Sequence, residues 1–113
     1  MNWDDASRMF QQIQTATRGD TVLLKLENDL LAQVVRYARI RTDWQLADHD
    51  QRREIDGSRI AAHNALIDAC NILSRAMSER GKDTEWRAQL GQDRRGIGDF
   101  ACFVHCILGL SAR

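Results

Sequence analysis

Residues 50–81, DQRREIDGSRIAAHNALIDACNILSRAMSERG, decide the fold class. Ile55, Ala62, Leu66, Ala69, Leu73 and Ala76 follow at steps of seven, four, three, four and three, the period of a helix with one apolar seam. Asp50 is placed to cap the start of this helix and Gly81 to end it. Gly57 marks a position for an early kink. A helix of about 30 residues spans about 45 Å, longer than a compact chain of this size readily covers. That length favours a homodimer unless Gly57 breaks the segment.

Toward the N-terminus the same period recurs twice. Trp3, Ala6, Met9, Phe10, Ile13 and Ala16 share one side of a first helix, about residues 3–17, ended by Gly19. Asp20 or Thr21 caps a second helix running to about residue 46, whose apolar face is Leu23, Leu26, Leu30, Leu31, Val34, Tyr37 and Ala38. The polar stretch Asp48-His49-Asp50 turns the chain into the third helix. Toward the C-terminus, residues 82–96 read as the longest loop, with one helical turn around Trp86 to Leu90. Ile97 to Leu110 reads as the last helix. Its large residues (Phe100, Phe103, Val104, Ile107, Leu108, Leu110) oppose a small-residue face of Gly98, Cys102, Cys106 and Gly109, a pattern that suits burial on two sides with a neighbouring backbone close by. The expected architecture is all-α: a four-helix bundle or related helical bundle in one domain, residues 1–113, with a long third helix and a buried C-terminal helix.

Composition bounds the function. A 113-residue chain with 28% charged and 43% hydrophobic residues is ordinary globular material that can hold a core without staples. Sixteen basic and 16 acidic side chains cancel, which argues against a dedicated nucleic-acid binder. There is no apolar run of membrane-spanning length and no secretory leader pattern. Cys70, Cys102 and Cys106 are odd in number and lie inside helical patterns, which points to a reducing cytoplasm rather than a disulfide scaffold.

Four polar residues sit where apolar ones belong. Glu27 projects into the apolar face of the second helix, Arg59 and His63 stand one turn apart beside Leu66 and Cys70, and Asp99 lies one turn into the last helix. Isolated buried charges are too costly to persist, so Glu27, Arg59, His63 and Asp99 are expected to form one polar cluster. Its role is either to fix helix register or to make His63 an acid or base near neutral pH. In Asp93-Arg94-Arg95-Gly96-Ile97-Gly98-Asp99, Arg94 and Arg95 lead into the last helix, a place where cations are disfavoured unless an acid or a bound phosphate lies close. They are the candidate anion-binding pair.

Other chemistry finds less support. Cys102-x-x-His105-Cys106 has permissive spacing but not four converging ligands, so no metal is expected, and no other cofactor. Nucleophile-elbow and His-Glu-x-x-His patterns are absent from the sequence, and Gly96-Ile97-Gly98 lacks the third glycine of a dinucleotide fingerprint. By elimination, the first expectation is a self-associating module that binds a protein partner without catalysis, through Asn64, Asp68, Asn71 and Arg75 or the small-residue face of the last helix. The alternative is a phosphate- or metabolite-binding, or hydrolytic, bundle built on Arg94, Arg95 and the polar cluster.

Overall fold

The computed structural model describes residues 1–111 and consists of α1 (Trp3–Thr17), α2 (Thr21–Leu46), α3 (His49–Glu79), α4 (Glu85–Leu90) and α5 (Arg94–Ser111). The all-α expectation holds. Only Ala47 and Asp48 separate α2 from α3, so the two helices fold back on each other as an antiparallel hairpin. Asp48, two residues ahead of the expected Asp50, caps α3: it accepts the Gln51 N–H at 2.9 Å, and the Gln51 side chain accepts the Asp48 N–H at 3.0 Å. This reciprocal box satisfies two orphan donors at once, and Asp50 is left inside the first turn. Gly57 does not end the helix, which runs on to Glu79.

Both ends of the hairpin are tied. At the turn, Arg52 donates to the carbonyls of Trp44 and Gln45 at 3.0 and 3.3 Å, satisfying acceptors that the end of α2 would leave orphaned. At the other end Arg80, which follows α3, meets Asp20, the cap of α2, at 2.6 Å. There Gly81 takes φ +69°, the Gly81 N–H bonds the Ser78 carbonyl and the Lys82 N–H bonds the Met77 carbonyl. This is a Schellman stop, which a residue with a side chain adopts only at a cost.

The remaining helices pack on this hairpin. Ala6, Met9, Phe10 and Ile13 of α1 join Leu23, Leu30 and Val34 of α2, Leu66 and Leu73 of α3, and Ile97, Phe100 and Val104 of α5 in one core. The Trp3 and Phe103 rings meet edge to face at a centroid distance of 6.0 Å and so pin α1 to α5. Trp86 is fully buried, which makes the short α4 a plug in the core rather than edge packing. On α3 the buried line runs through Ala62, His63, Leu66, Cys70, Leu73 and Met77, and Ala69 and Ala76 fall to its margin.

Two expectations for the last helix change. It begins at Arg94, three residues earlier than the apolar pattern, because the Asp93 side chain accepts the Arg95 N–H and its carbonyl accepts the Ile97 N–H, a capping arrangement. Its burial on two sides is also confined to the N-terminal half: Ile97, Gly98, Phe100, Ala101 and Val104 are enclosed, whereas Cys106, Gly109 and Leu110 face out. The residues span 47 × 29 × 23 Å with a radius of gyration of 14.3 Å, against about 13 Å for a compact domain of this size. The 31-residue α3, about 46 Å long at 1.5 Å per residue, accounts for that elongation.

The Asp20 carboxylate is held below its ordinary range by the Leu23 backbone N–H, an effect that desolvation opposes and that Arg80 and the Val22 N–H reinforce. A depressed carboxylate contributes stability at pH values above the unfolded-state value and loses it as pH falls through the folded-state value. Asp20→Ala is therefore expected to lower the urea midpoint at pH 7, and the gap to wild type should narrow as pH falls from about 4 through the lower folded-state value. A gap that persists in full at low pH would show that the carboxylate charge contributes nothing.

Candidate functional site

The four polar residues expected to cluster are divided among separate partners. Glu27, 8% exposed, accepts a hydrogen bond from the Thr17 hydroxyl at the end of α1. That neutral hydroxyl carries no charge pattern along the sequence. Asp99 pairs with Arg41 of α2 at 2.9 Å. Arg59 pairs with Asp56, one turn back on its own helix, at 3.0 Å. His63, 6% exposed, donates from Nε2 to the Arg94 carbonyl at 2.9 Å; a carbonyl only accepts, so Nε2 carries the proton. His63 Nδ1 is buried and has no hydrogen-bond partner among the described residues. An orphaned buried polar atom of this kind costs about 1–3 kcal/mol.

Three of these residues nevertheless lie around one feature. A cleft of about 530 Å³ opens between the C-terminal half of α2, the N-terminal half of α3 and the start of α5. Arg59 and His63 line it from α3, Tyr37, Arg41 and Trp44 from α2, and Arg94 and Arg95 from α5, with Gln45 and Ile60 completing the wall. Asp99 stands behind it as the counter-charge to Arg41. Glu27 is not part of the wall.

Three of the four lining arginines, Arg41, Arg59 and Arg94, have a structural reason for their positions. The Arg59 guanidinium lies 4.7 Å from the centre of the Trp44 ring and Arg52 lies 4.3 Å from it, both within cation–π range. Arg94 donates to the Asn64 side-chain oxygen at 2.7 Å, while its carbonyl is held by His63, so both ends of the residue are fixed to α3. Burial works against the charge on Arg41, but the Asp99 hydrogen bond and the added electrostatic contributions of Cys102, Tyr37 and Asp99 together outweigh it, keeping the guanidinium ionised. Burial also pushes the Tyr37 phenol above its ordinary value, with Arg41 opposing. Its hydroxyl is therefore a protonated donor at neutral pH.

Tyr37 and Arg41 reach the cleft across Gly98. A Cβ at that position would stand 2.7 Å from the Tyr37 hydroxyl, 3.1 Å from its ring and 3.2 Å from Arg41 Nη1. The small-residue face of α5 thus receives two polar side chains at Gly98 rather than a neighbouring backbone.

The expected interaction stripe is partly committed within the chain. Asn64 holds Arg94 at 2.7 Å and Asn71 accepts from Arg87 of α4 at 2.8 Å; Asp68 and Arg75 are exposed. Cys102 lies 3.7 Å from Arg41 Nη1 with its thiol pushed up by burial, and Cys106 is exposed. Among the described residues no three His, Cys, Asp or Glu side chains converge as metal ligands. The wall residues that sequence reasoning missed are Tyr37, Arg41, Trp44, Gln45 and Ile60. Arg41 carried the usable signal, standing one helical turn after Tyr37 at the edge of the apolar face.

Comparison with family models, curated proteins and solved structures returned no match to this chain.

Gly98→Ala is expected to displace Tyr37 and Arg41 and to destabilise the fold by about 1–3 kcal/mol, the usual effect of overpacking, measured by denaturant unfolding. A neutral result would show that the contact between α2 and α5 at this point is loose.

Proposed function

We propose that this protein is a binding bundle for a small anionic ligand, held in the cleft between α2, α3 and the start of α5. The observation that carries the reading is the composition of the wall: four arginines and a buried histidine, with no carboxylate among the lining residues. Guanidinium groups favour phosphate and carboxylate oxygens because they present paired donors in a planar fork. The α5 N-terminus adds the positive end of a helix dipole beside them. Clefts of this size are usual for small organic ligands.

The wall favours binding over hydrolysis. Asp56 and Asp99 are each engaged by an arginine of the wall, Asp93 by the Arg95 backbone N–H, and His63 Nε2 by the Arg94 carbonyl. The side chains of the wall thus hold and neutralise charge, and none is arranged as a base beside a nucleophile. The free thiols suit work in a reducing cytoplasm.

Thermal unfolding in increasing inorganic phosphate or pyrophosphate tests this reading. Ligand at a hundred times its Kd adds about 2.7 kcal/mol, so the midpoint should rise by several degrees for wild type and by much less for Arg94→Gln and Arg95→Gln. Both arginines are exposed, so neither substitution should harm the fold. Equal rises in wild type and both variants would contradict the proposal.

A second reading, self-association, draws on the outer face of the α2–α3 hairpin. There Ile72 is 50% exposed and lines a groove with Leu26, Gln33, Ala65 and Ala69 and the acids Asp29 and Asp68, and Gln33 Oε1 is buried without a partner among the described residues. A homodimer on this face is expected to appear as concentration-dependent mass in light scattering and to be lost in Ile72→Arg. Monomer mass at every concentration would refute it.

A further inference from the structure

We infer that the ligand of the cleft is a phosphate monoester bound as its dianion, with a compact flat body attached; this rests on the anion-binding reading and specifies which anion. Charge decides the first part. Of the four arginines in the wall, Arg41 is matched by Asp99 at 2.9 Å and Arg59 by Asp56 at 3.0 Å. Arg94 and Arg95 have no acidic side chain at ion-pair distance among the described residues: Arg94 reaches the neutral Asn64 amide, and Asp93 serves the Arg95 backbone N–H instead. Two guanidinium groups are therefore left without an ion-pair partner on the first turn of α5, where the Asp93 carboxylate is committed to capping the positive end of the helix dipole. A phosphate monoester carries about −1.5 to −2 at neutral pH and balances them. A carboxylate or a phosphodiester, with a single negative charge, leaves one guanidinium unmatched.

The wall supplies the second part. Arg94 is anchored beside His63, whereas Ile60 lies nearly one turn before His63 on α3 and Trp44 stands toward the α2–α3 turn. Ile60 is 46% exposed, an apolar side chain left in the open within a cationic cleft. The Arg59 guanidinium, 4.7 Å from the centre of the Trp44 ring and held by Asp56, provides a planar cation in the same wall, a surface that aromatic groups favour. One end of the cleft thus fits a doubly charged head and the other a flat, weakly polar body. At about 530 Å³ the cleft is larger than free phosphate needs.

Isothermal titration at pH 8, where a monoester is fully dianionic, separates these elements with three probes: phenyl phosphate, phenyl sulfate and inorganic phosphate. Phenyl sulfate has the same ring and nearly the same head with one charge fewer. The expected result is that phenyl phosphate binds about tenfold or more tighter than phenyl sulfate and also tighter than inorganic phosphate. In Arg95→Gln the preference for phenyl phosphate over phenyl sulfate should shrink. Equal affinities for the two phenyl esters would overturn the dianion inference while leaving an anion site in place. Equal affinities for phenyl phosphate and inorganic phosphate would overturn the flat body. Failure of all three probes to bind would defeat the anion-binding reading itself.

Discussion

The two-residue connection at Ala47 and Asp48 is the constraint from which the arrangement follows. With so short a link, α2 and α3 can only return antiparallel, and their apolar faces meet along most of their length. Arg52 at the turn and the Asp20–Arg80 pair at the far end keep the two helices from sliding. The hairpin then offers one apolar side, on which α1, α4 and α5 settle. Near the turn α2 and α3 extend beyond that core, and α5 begins beside them with His63, Tyr37 and Arg41 as its contacts. The cleft is what remains between three helices at the place where the core ends.

Position in that gap explains why so many arginines coexist there. Their aliphatic stems cover the margin of the core while the heads stay in contact with water. Arg41 and Arg59 have counter-charges at 2.9 and 3.0 Å, so the deeper part of the wall is close to neutral. Arg94 and Arg95 are exposed and stand on a helix N-terminus, where the backbone disfavours them. A sequence that keeps two arginines at the least favourable end of a helix, caps that helix with Asp93 and fixes Arg94 at both its carbonyl and its side chain has its positive charge held in place rather than dispersed. The same chain ties His63 to the Arg94 backbone, so the imidazole sets where α5 starts relative to α3. The buried histidine is thus explained first as a positioning group, whose Nδ1 is left buried without a partner among the described residues.

How much of this was legible in the sequence depended on whether the signal was local. The bounds of α1 and α2 follow from Gly19, Asp20 and the apolar period because capping and termination are decided within a few residues. The start of α3 was misplaced by two residues since Asp48 and Asp50 are both capping residues, and only Gln51 closing the reciprocal bond distinguishes them. The start of α5 was missed because its first turn is polar and exposed, and apolar periodicity is blind to such turns. Glu27 and His63 were identified as buried from helical spacing alone. Their partners were not, because Thr17 and the Arg94 carbonyl are neutral groups whose proximity depends on helix register. The single polar cluster failed for the same reason: four charged residues can each satisfy themselves locally, and here Asp56 and Arg41 intervene. Arg94 and Arg95 were singled out for the right physical conflict, cations on a helix start, but the cleft facing them is a property of three helices together.

The central claim is that the start of α5 and the facing surfaces of α2 and α3 form one anion site. Its most direct test is a two-dimensional ¹H–¹⁵N NMR titration with inorganic phosphate. The account expects saturable shifts concentrated in the backbone amides of residues 94–97, the His63 region and the Trp44 indole N–H, with the Trp86 indole, enclosed in the core, unmoved. Shifts that are absent, that fail to saturate, or that centre on another face of the bundle would contradict it.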